Sequence, residues 1–225
     1  MTKILTVVVT FNGMRWAEKC FGSLKLSTCP SDVFVIDNGS TDGTIEYIHT
    51  NYPNFIVHES KTNLGFGKAN NIGIQYAIDN LYDYVYLLNQ DAWILPETLE
   101  RAINFSKENP AYGILSPFQM QSNMRLIDGA FKSAVMSSEV LDEIYTGETK
   151  SVYEVHGVMA AHWLITRECF LKVGGFSPTF PHYGEDDNYM DRVRYYGFKI
   201  GVIPSLKVIH DRGDRKLNKK QNIYR

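Results

Sequence analysis

Two apolar segments of this chain run straight into carboxylates. Val33-Phe-Val-Ile36 leads into Asp37-Asn-Gly-Ser-Thr-Asp42, and Tyr84-Val-Tyr-Leu-Leu88 leads into Asn89-Gln-Asp91. A buried strand that ends on an acid puts that acid at the carboxyl edge of a sheet, where open α/β folds bind their ligands. Two such ends point to one shared cleft. The second offers oxygen to a hard divalent cation.

The rest of the chain fits this frame. Ile4 to Thr10 is a continuous β-branched run, as expected of a parallel strand covered on both faces. Helical spacing follows over Trp16–Leu26, then a strand over Val33–Ile36 and a helix over Thr41–Tyr52 ended before Pro53. Phe55–His58 reads as a strand, Gly67–Leu81 as a helix, and Tyr84–Leu88 as the fourth strand. Pro96–Asn109 reads as a helix entered through Pro96, and Ile114–Ser116 as the fifth strand. This order makes a doubly wound, mainly parallel sheet flanked by helices the economical solution.

From Phe118 to Tyr153 the period weakens, which leaves hairpins or a mobile insert over the cleft. Val155–Thr166 looks strand-rich. Glu168–Val173 is a short helix ended by Gly174-Gly175, and Glu185–Tyr196 a helix ended by Gly197. Lys199–Ile203 is a strand stopped by Pro204, with Val208-Ile-His210 as a separate piece.

At 225 residues the chain fits one domain. A net charge of −2 gives no global field for nucleic acid. No apolar run approaches the roughly 20 residues of a membrane span. The start, Met1-Thr-Lys-Ile-Leu-Thr-Val-Val-Val9, has no small-residue cleavage site and reads as a core strand, not a signal peptide. Cys20, Cys29 and Cys169 are odd in number and lack zinc spacing, so they read as reduced thiols of a cytosolic protein.

Several residues stand out for chemistry. Asp37 at a strand end can accept the imide N–H of uracil or thymine. Capping suits Ser40 or Thr41, but it does not explain Asp37, which precedes the turn. In Asn63-Leu-Gly-Phe-Gly-Lys-Ala-Asn-Asn71, Gly65 and Gly67 let backbone approach a ligand closely. A glycine turn with capping explains that stretch equally well.

Asp91 is the metal candidate, because a diphosphate and water can complete a shell that holds one carboxylate. A turn or helix-entry aspartate is the plainer alternative. Glu185-Asp-Asp187 opens a helix and could serve its dipole. Three adjacent carboxylates exceed that need, and crowding raises at least one pKa, which suits a general base. His210 sits at another strand end, where it would close a metal shell with Asp91. Imidazole suits Mn²⁺ better than Mg²⁺.

Taken together, these segments resemble the GT-A glycosyltransferases, specifically family 2. The pieces are Thr6-Val-Val-Val-Thr-Phe-Asn12, Val35-Ile-Asp-Asn-Gly-Ser-Thr-Asp-Gly43, Asn63-Leu-Gly-Phe-Gly-Lys-Ala-Asn70, Leu87-Leu-Asn-Gln-Asp91, Gly174-Gly-Phe176, Tyr183-Gly-Glu-Asp-Asp187 and Val208-Ile-His210. They cover nearly the whole chain, and their order and spacing are specific. The nearest likeness is to the rhamnosyltransferase-like branch, where Leu-Leu-Asn-Pro-Asp is usual at the metal strand.

The resemblance implies a single GT-A domain over 1–225: a nucleotide-sugar half at 1–117, and an acceptor and metal half at 118–225 with a basic tail. It implies that Thr10, Asn12 and Asp37 hold the base and ribose. Asn63, Gly65 and Asn70 would line the donor, with Asn89 beside them. Asp91 would be the last acid of the Asp-x-Asp motif and would touch Mn²⁺ or Mg²⁺. His210 would be the C-terminal metal ligand, and Asp186, with Glu185 beside it, the base.

Two departures matter. Asn89 replaces the first acid, so metal binding would lean on the nucleotide diphosphate. Asn188 stands where an acid often continues the second cluster. Many relatives also continue well past the histidine, so the chain reads as a shortened or a short member.

The implied activity is inverting transfer of a sugar from a UDP- or dTDP-sugar to an acceptor hydroxyl, in bacterial surface polysaccharide synthesis. A saccharide or lipid-linked saccharide would be the acceptor, and the location cytoplasmic, at the inner membrane face if the tail meets lipid. Arg215-Lys-Leu-Asn-Lys-Lys220 would meet anionic lipid or be an ordinary solvated tail. His162 and Trp163 would border the acceptor. Trp93, Trp163 and Tyr183 could stack on sugar, although core packing is the commoner use. A nucleotidyltransferase and a non-catalytic sugar-nucleotide-binding subunit are the alternatives. The first lacks its basic glycine-rich loop at Thr10–Arg15, and the second rests only on Asn89.

Overall fold

Strand β1 (Ile4–Thr10) is buried on both faces because its residues alternate between two cores. Leu5 and Val7 pack on one side, Ile4 and Val8 on the other. The computed structural model describes residues 2–180 and 184–212. After β1 come α1 (Met14–Lys25), β2 (Asp32–Asp37), α2 (Thr44–Asn51), β3 (Ile56–Glu59), α3 (Phe66–Asp79) and β4 (Tyr84–Asn89). The sheet is parallel through β3-β2-β1-β4, with Val7 paired to Phe34 on one side and Leu87 on the other. Helix α3 approaches β1 closely. A Cβ built on Gly73 would lie 2.5 Å from Val7 Cγ1, so this packing needs a residue without a side chain.

The remaining elements are β5 (Ala92–Trp93), α4 (Thr98–Glu108), β6 (Tyr112–Met120), α5 (Gly129–Val135), α6 (Ser138–Thr146), β7 (Tyr153–Glu154), β8 (His162–Thr166), α7 (Arg167–Val173), α8 (Glu185–Tyr195) and β9 (Lys199–His210). The strand order is β3-β2-β1-β4-β8-β6-β9-β5, with β7 beside β9. Beyond β4 the sheet is mixed. Strand β8 runs antiparallel to both β4 and β6, while β9 runs parallel to β6.

Several boundaries differ from those expected. Residues 118–153 hold the end of β6 and two short helices. Asp128 caps α5 by accepting from the Phe131 amide, and Ser137 caps α6 by accepting from Val140. Only 162–166 of the stretch 155–166 is strand. Strand β9 does not stop at Pro204. Pro117 pairs with Ile203 and Phe118 with Lys207, so residues 204–206 form an irregularity in which the missing proline N–H costs no ladder bond. Helix α2 starts at Thr44, because the Thr41 amide donates to Asn12 Oδ1 and Gly43 takes φ of +89°. Helix α4 starts at Thr98 and leaves Pro96 outside.

Candidate active site

The carboxyl ends of β1, β2 and β4 open on a cleft of about 680 Å³. A side-chain network holds its rim. Four consecutive amides, from Phe11 to Met14, each donate to a side-chain oxygen of another element. The acceptors are Gln90 Oε1 at 2.9 Å, Ser40 Oγ at 2.9 Å, Thr44 Oγ1 at 3.0 Å and Asp42 Oδ2 at 3.0 Å. Helix α1 has no side-chain cap of its own, so Asp42 satisfies an orphan donor at its start. Gln90 Nε2 also returns a bond to the Phe11 carbonyl. The side chain of Gln90 thus ties the end of β4 to the end of β1. It fits because position 13 is glycine, where a Cβ would come within 2.5 Å of Gln90 Oε1.

The expected nucleotide residues divide into two groups. Thr10, Asn63, Gly65, Asn89 and Asp91 line the cleft. Asp37, Asn12 and Asn70 do not. Asp37 is buried and accepts from Thr10 Oγ1, Ser40 Oγ and the amides of Gly39 and Ser40. Its carboxylate is saturated by its own loop and by Thr10 at the end of β1. Asn12 sits at φ of +50° and turns its amide oxygen to Thr41. Asn70 is buried and donates back to the Phe66 carbonyl.

Asn38, next to Asp37, lines the cleft instead. It also clamps the third loop, accepting from the Leu64 amide and donating to the Gly65 carbonyl. Asn38, Gln90 and the cleft-lining Phe180 were missed by sequence reasoning. For Gln90 a signal existed, since it stands where the branch usually has proline.

Asp91 lines the cleft, and His210 meets it from behind, buried and outside the lining. Ala92 pairs with His210, and the Asp211 amide donates to the Asp91 carbonyl. Both side chains are buried, with His210 Nε2 3.4 Å from Asp91 Oδ1. Gln119, unmarked in the sequence, sets the tautomer. Its Nε2 donates to Ser116 Oγ, which leaves Oε1 to accept from His210 Nδ1–H at 3.2 Å. Nε2 therefore carries the lone pair. That lone pair already meets a cation, because Arg212 Nε donates to it at 3.2 Å. A lone pair and a carboxylate converging where the chain's own guanidinium stands fit a divalent cation. Among the described residues no third His, Cys, Asp or Glu joins them.

Helix α8 begins beside the cleft. Its Glu185 Cβ is 3.7 Å from a Cβ built on Gly67, a cleft-lining residue. Glu185 is buried and its Oε2 has no hydrogen-bond partner among the described residues. Asp186 is half-buried. Burial pushes its pKa up, and the charges of Asp187 and Glu185 add to the rise.

His162 and Trp163 do not border an acceptor. Trp163 is wholly buried, donates to the Val158 carbonyl and stacks on Phe176. His162 donates from Nε2 to the Ile209 carbonyl at 2.9 Å and accepts at Nδ1 from the Tyr86 hydroxyl. A carbonyl cannot donate, which fixes that tautomer. Trp93 carries the Lys19 ammonium over its ring. Tyr183 and the tail Arg215–Lys220 lie outside the described residues.

A family model described as "Glycosyl transferase family 2" matches residues 6–170. The chain belongs to glycosyl transferase family 2. As a member it is a glycosyltransferase. It is 29% identical over 235 residues to an N-acetylglucosaminyl-diphospho-decaprenol L-rhamnosyltransferase of Mycobacterium tuberculosis, covering 93% of this chain and 76% of that one. Its fold matches that of S. aureus TarS 1-349 in complex with UDP-GlcNAc, with TM-score 0.71 and 19% identity, covering 92% of this chain and 58% of the other. It also matches the mannosyltransferase PcManGT of Pyrobaculum calidifontis in complex with GDP-Man and Mn²⁺, with TM-score 0.70 and 17% identity, covering 95% and 58%. The chain thus spans under two thirds of those two solved proteins. No helix among the described residues is long and apolar enough to cross a membrane.

Proposed function

We propose that this family 2 glycosyltransferase moves a sugar from a nucleotide-diphosphate donor to an acceptor hydroxyl with inversion. Residues 1–117 carry the donor side, and 118–225 the acceptor side with half of the metal site. The observation that carries the reading is the pairing of the cleft-lining Asp91 with the buried His210. A Mn²⁺ or Mg²⁺ ion held there would neutralise the charge that develops on the leaving diphosphate. The Mn²⁺ in the PcManGT complex supports this choice of ion.

The chain's own residues do the remaining work. Asp186 accepts the proton of the acceptor hydroxyl, and its raised pKa suits that task. The acceptor oxygen bonds to the anomeric carbon as the carbon–oxygen bond to the diphosphate breaks. The nucleoside diphosphate leaves with that electron pair. One displacement inverts the anomeric carbon without a covalent enzyme intermediate. The cleft holds donor and acceptor in line, which supplies proximity.

The mycobacterial relative's name supports a deoxyhexose donor such as a dTDP-sugar and a lipid-linked saccharide acceptor. A cytoplasmic site at the inner membrane face follows from such an acceptor. The test is release of free nucleoside diphosphate from dTDP- and UDP-sugars with Mn²⁺. Release that stops in Asp91→Ala supports the reading. Binding of the nucleotide without any turnover on a panel of donors and acceptors would instead identify a binder.

A further inference from the structure

Arg212 stands at the metal position of the reading above, and nothing in that reading uses it. Its Nε–H donates to His210 Nε2, the nitrogen that faces Asp91 Oδ1. The same Nε is 4.0 Å from Asp128 Oδ2, a carboxylate buried at the cap of α5. The Arg212 side chain keeps 34% of its surface exposed, so it can move without unpacking the core. His210 itself cannot turn away, because Gln119 holds Nδ1. Any cation that takes His210 Nε2 must therefore displace Arg212.

We propose that Arg212 is a resident counter-cation of the donor site. It caps His210 in the metal-free protein and gives that nitrogen up to a divalent cation. Its planar fork also donates to a phosphate oxygen of the nucleoside diphosphate. The position suits this role, since Asn89 removes one negative charge from the metal strand. With fewer carboxylates, the ion alone binds against an existing hydrogen bond and a positive charge. The diphosphate repays both, because it offers oxygens to the ion and to the guanidinium. Metal and nucleotide binding become mutually dependent.

Two effects of opposite sign follow, which loss of folding cannot imitate. Removing the guanidinium frees the lone pair and lowers the local positive charge, so Mn²⁺ alone binds more tightly. It also removes a phosphate ligand, so the nucleotide binds more weakly when no metal is present. Titration calorimetry on wild type, Arg212→Gln and Arg212→Lys reads both, with Mn²⁺ alone and with UDP or dTDP in EDTA. In Arg212→Gln the Mn²⁺ dissociation constant should fall about threefold or more, and the nucleotide constant in EDTA should rise about fivefold or more. Arg212→Lys should recover most of the nucleotide affinity, because the positive charge returns. Unchanged constants, or changes in the same direction, would overturn the role of Arg212. The proposal rests on the Asp91–His210 reading, and wild type with His210→Ala separates the two failures. If wild type binds Mn²⁺ with nucleotide and His210→Ala does not, failure at Arg212 concerns Arg212 alone. If wild type binds neither, both fall.

Discussion

His162 provides a quantitative test of how the proposed metal site is built. It is wholly buried, and burial pushes its pKa from 6.5 down to about 3, with the nearby His210 adding to the fall. In the folded protein the ring stays neutral and holds the Ile209 carbonyl, one residue from His210. The unfolded chain takes up a proton below pH 6.5 that the folded chain refuses. This contribution to stability is fully present above pH 6.5 and is lost as pH falls toward 3. Each unit costs about 1.4 kcal/mol, or about 5 kcal/mol over the whole window.

Between pH 6.5 and 4.5 this amounts to roughly 2.7 kcal/mol, equivalent to about 5–10 °C in a chain of this size. Other groups titrate in the same range, so the comparison is with His162→Gln. That amide can still donate to Ile209 and accept from Tyr86, but it does not ionise. Melting temperatures of both proteins should be followed from pH 7.5 to 4.5. Wild type should lose about 5–10 °C more than the variant between pH 6.5 and 4.5. Parallel curves would refute the assignment of His162 as a neutral buried strut.

Other outcomes follow from the site. Asp186→Asn should leave nucleotide binding nearly intact while turnover falls by about two orders of magnitude or more. The same variant should melt higher than wild type near neutral pH, because ionised Asp186 is half-buried beside two acids. That gain should vanish below the ordinary carboxylate range, where wild type is protonated in both states. Gln90→Ala removes two hydrogen bonds to Phe11. It should weaken nucleotide binding by about 1–2 kcal/mol with kcat held within about twofold, as read from donor KM against kcat. Asp37→Ala leaves four donors without their acceptor and should lower stability by more than about 3 kcal/mol in a denaturant melt. Loss of nucleotide affinity without loss of stability would return Asp37 to the ligand.

The parts of this molecule that could be read from sequence are those where burial and position coincide. Strands β1, β2 and β4 lie under helices on both faces, so they show as apolar runs with visible ends. Asp91 follows the end of β4 and His210 ends β9, and a strand end fixes position before any contact is known. Strand order could not be read in this way. Periodicity says nothing about β8 entering between β4 and β6, and a proline reads as a stop whether or not a bulge absorbs it.

Neighbours at one strand end were also indistinguishable. Asp37 carries the charge but faces its own loop, whereas Asn38 faces the cleft. Conversely, His162 and Trp163 pointed to the acceptor by their place before the acidic cluster and proved to be core, because only packing shows that their polar atoms are satisfied. Helices α5 and α6 are too short for a period to emerge.

The central claim is that Asp91 and His210 form a divalent-cation site that completes itself on a nucleoside diphosphate. Thermal shift of wild type and His210→Ala with UDP, dTDP and GDP tests it most directly, each with Mn²⁺, with Mg²⁺ and with EDTA. At ligand about 100-fold above its dissociation constant, binding adds about 2.7 kcal/mol. Wild type should therefore rise by about 5–10 °C with one nucleotide in the presence of metal, rise less in EDTA, and lose the metal-dependent part in His210→Ala. An equal rise in EDTA, or a metal-dependent rise that survives in His210→Ala, would contradict the account.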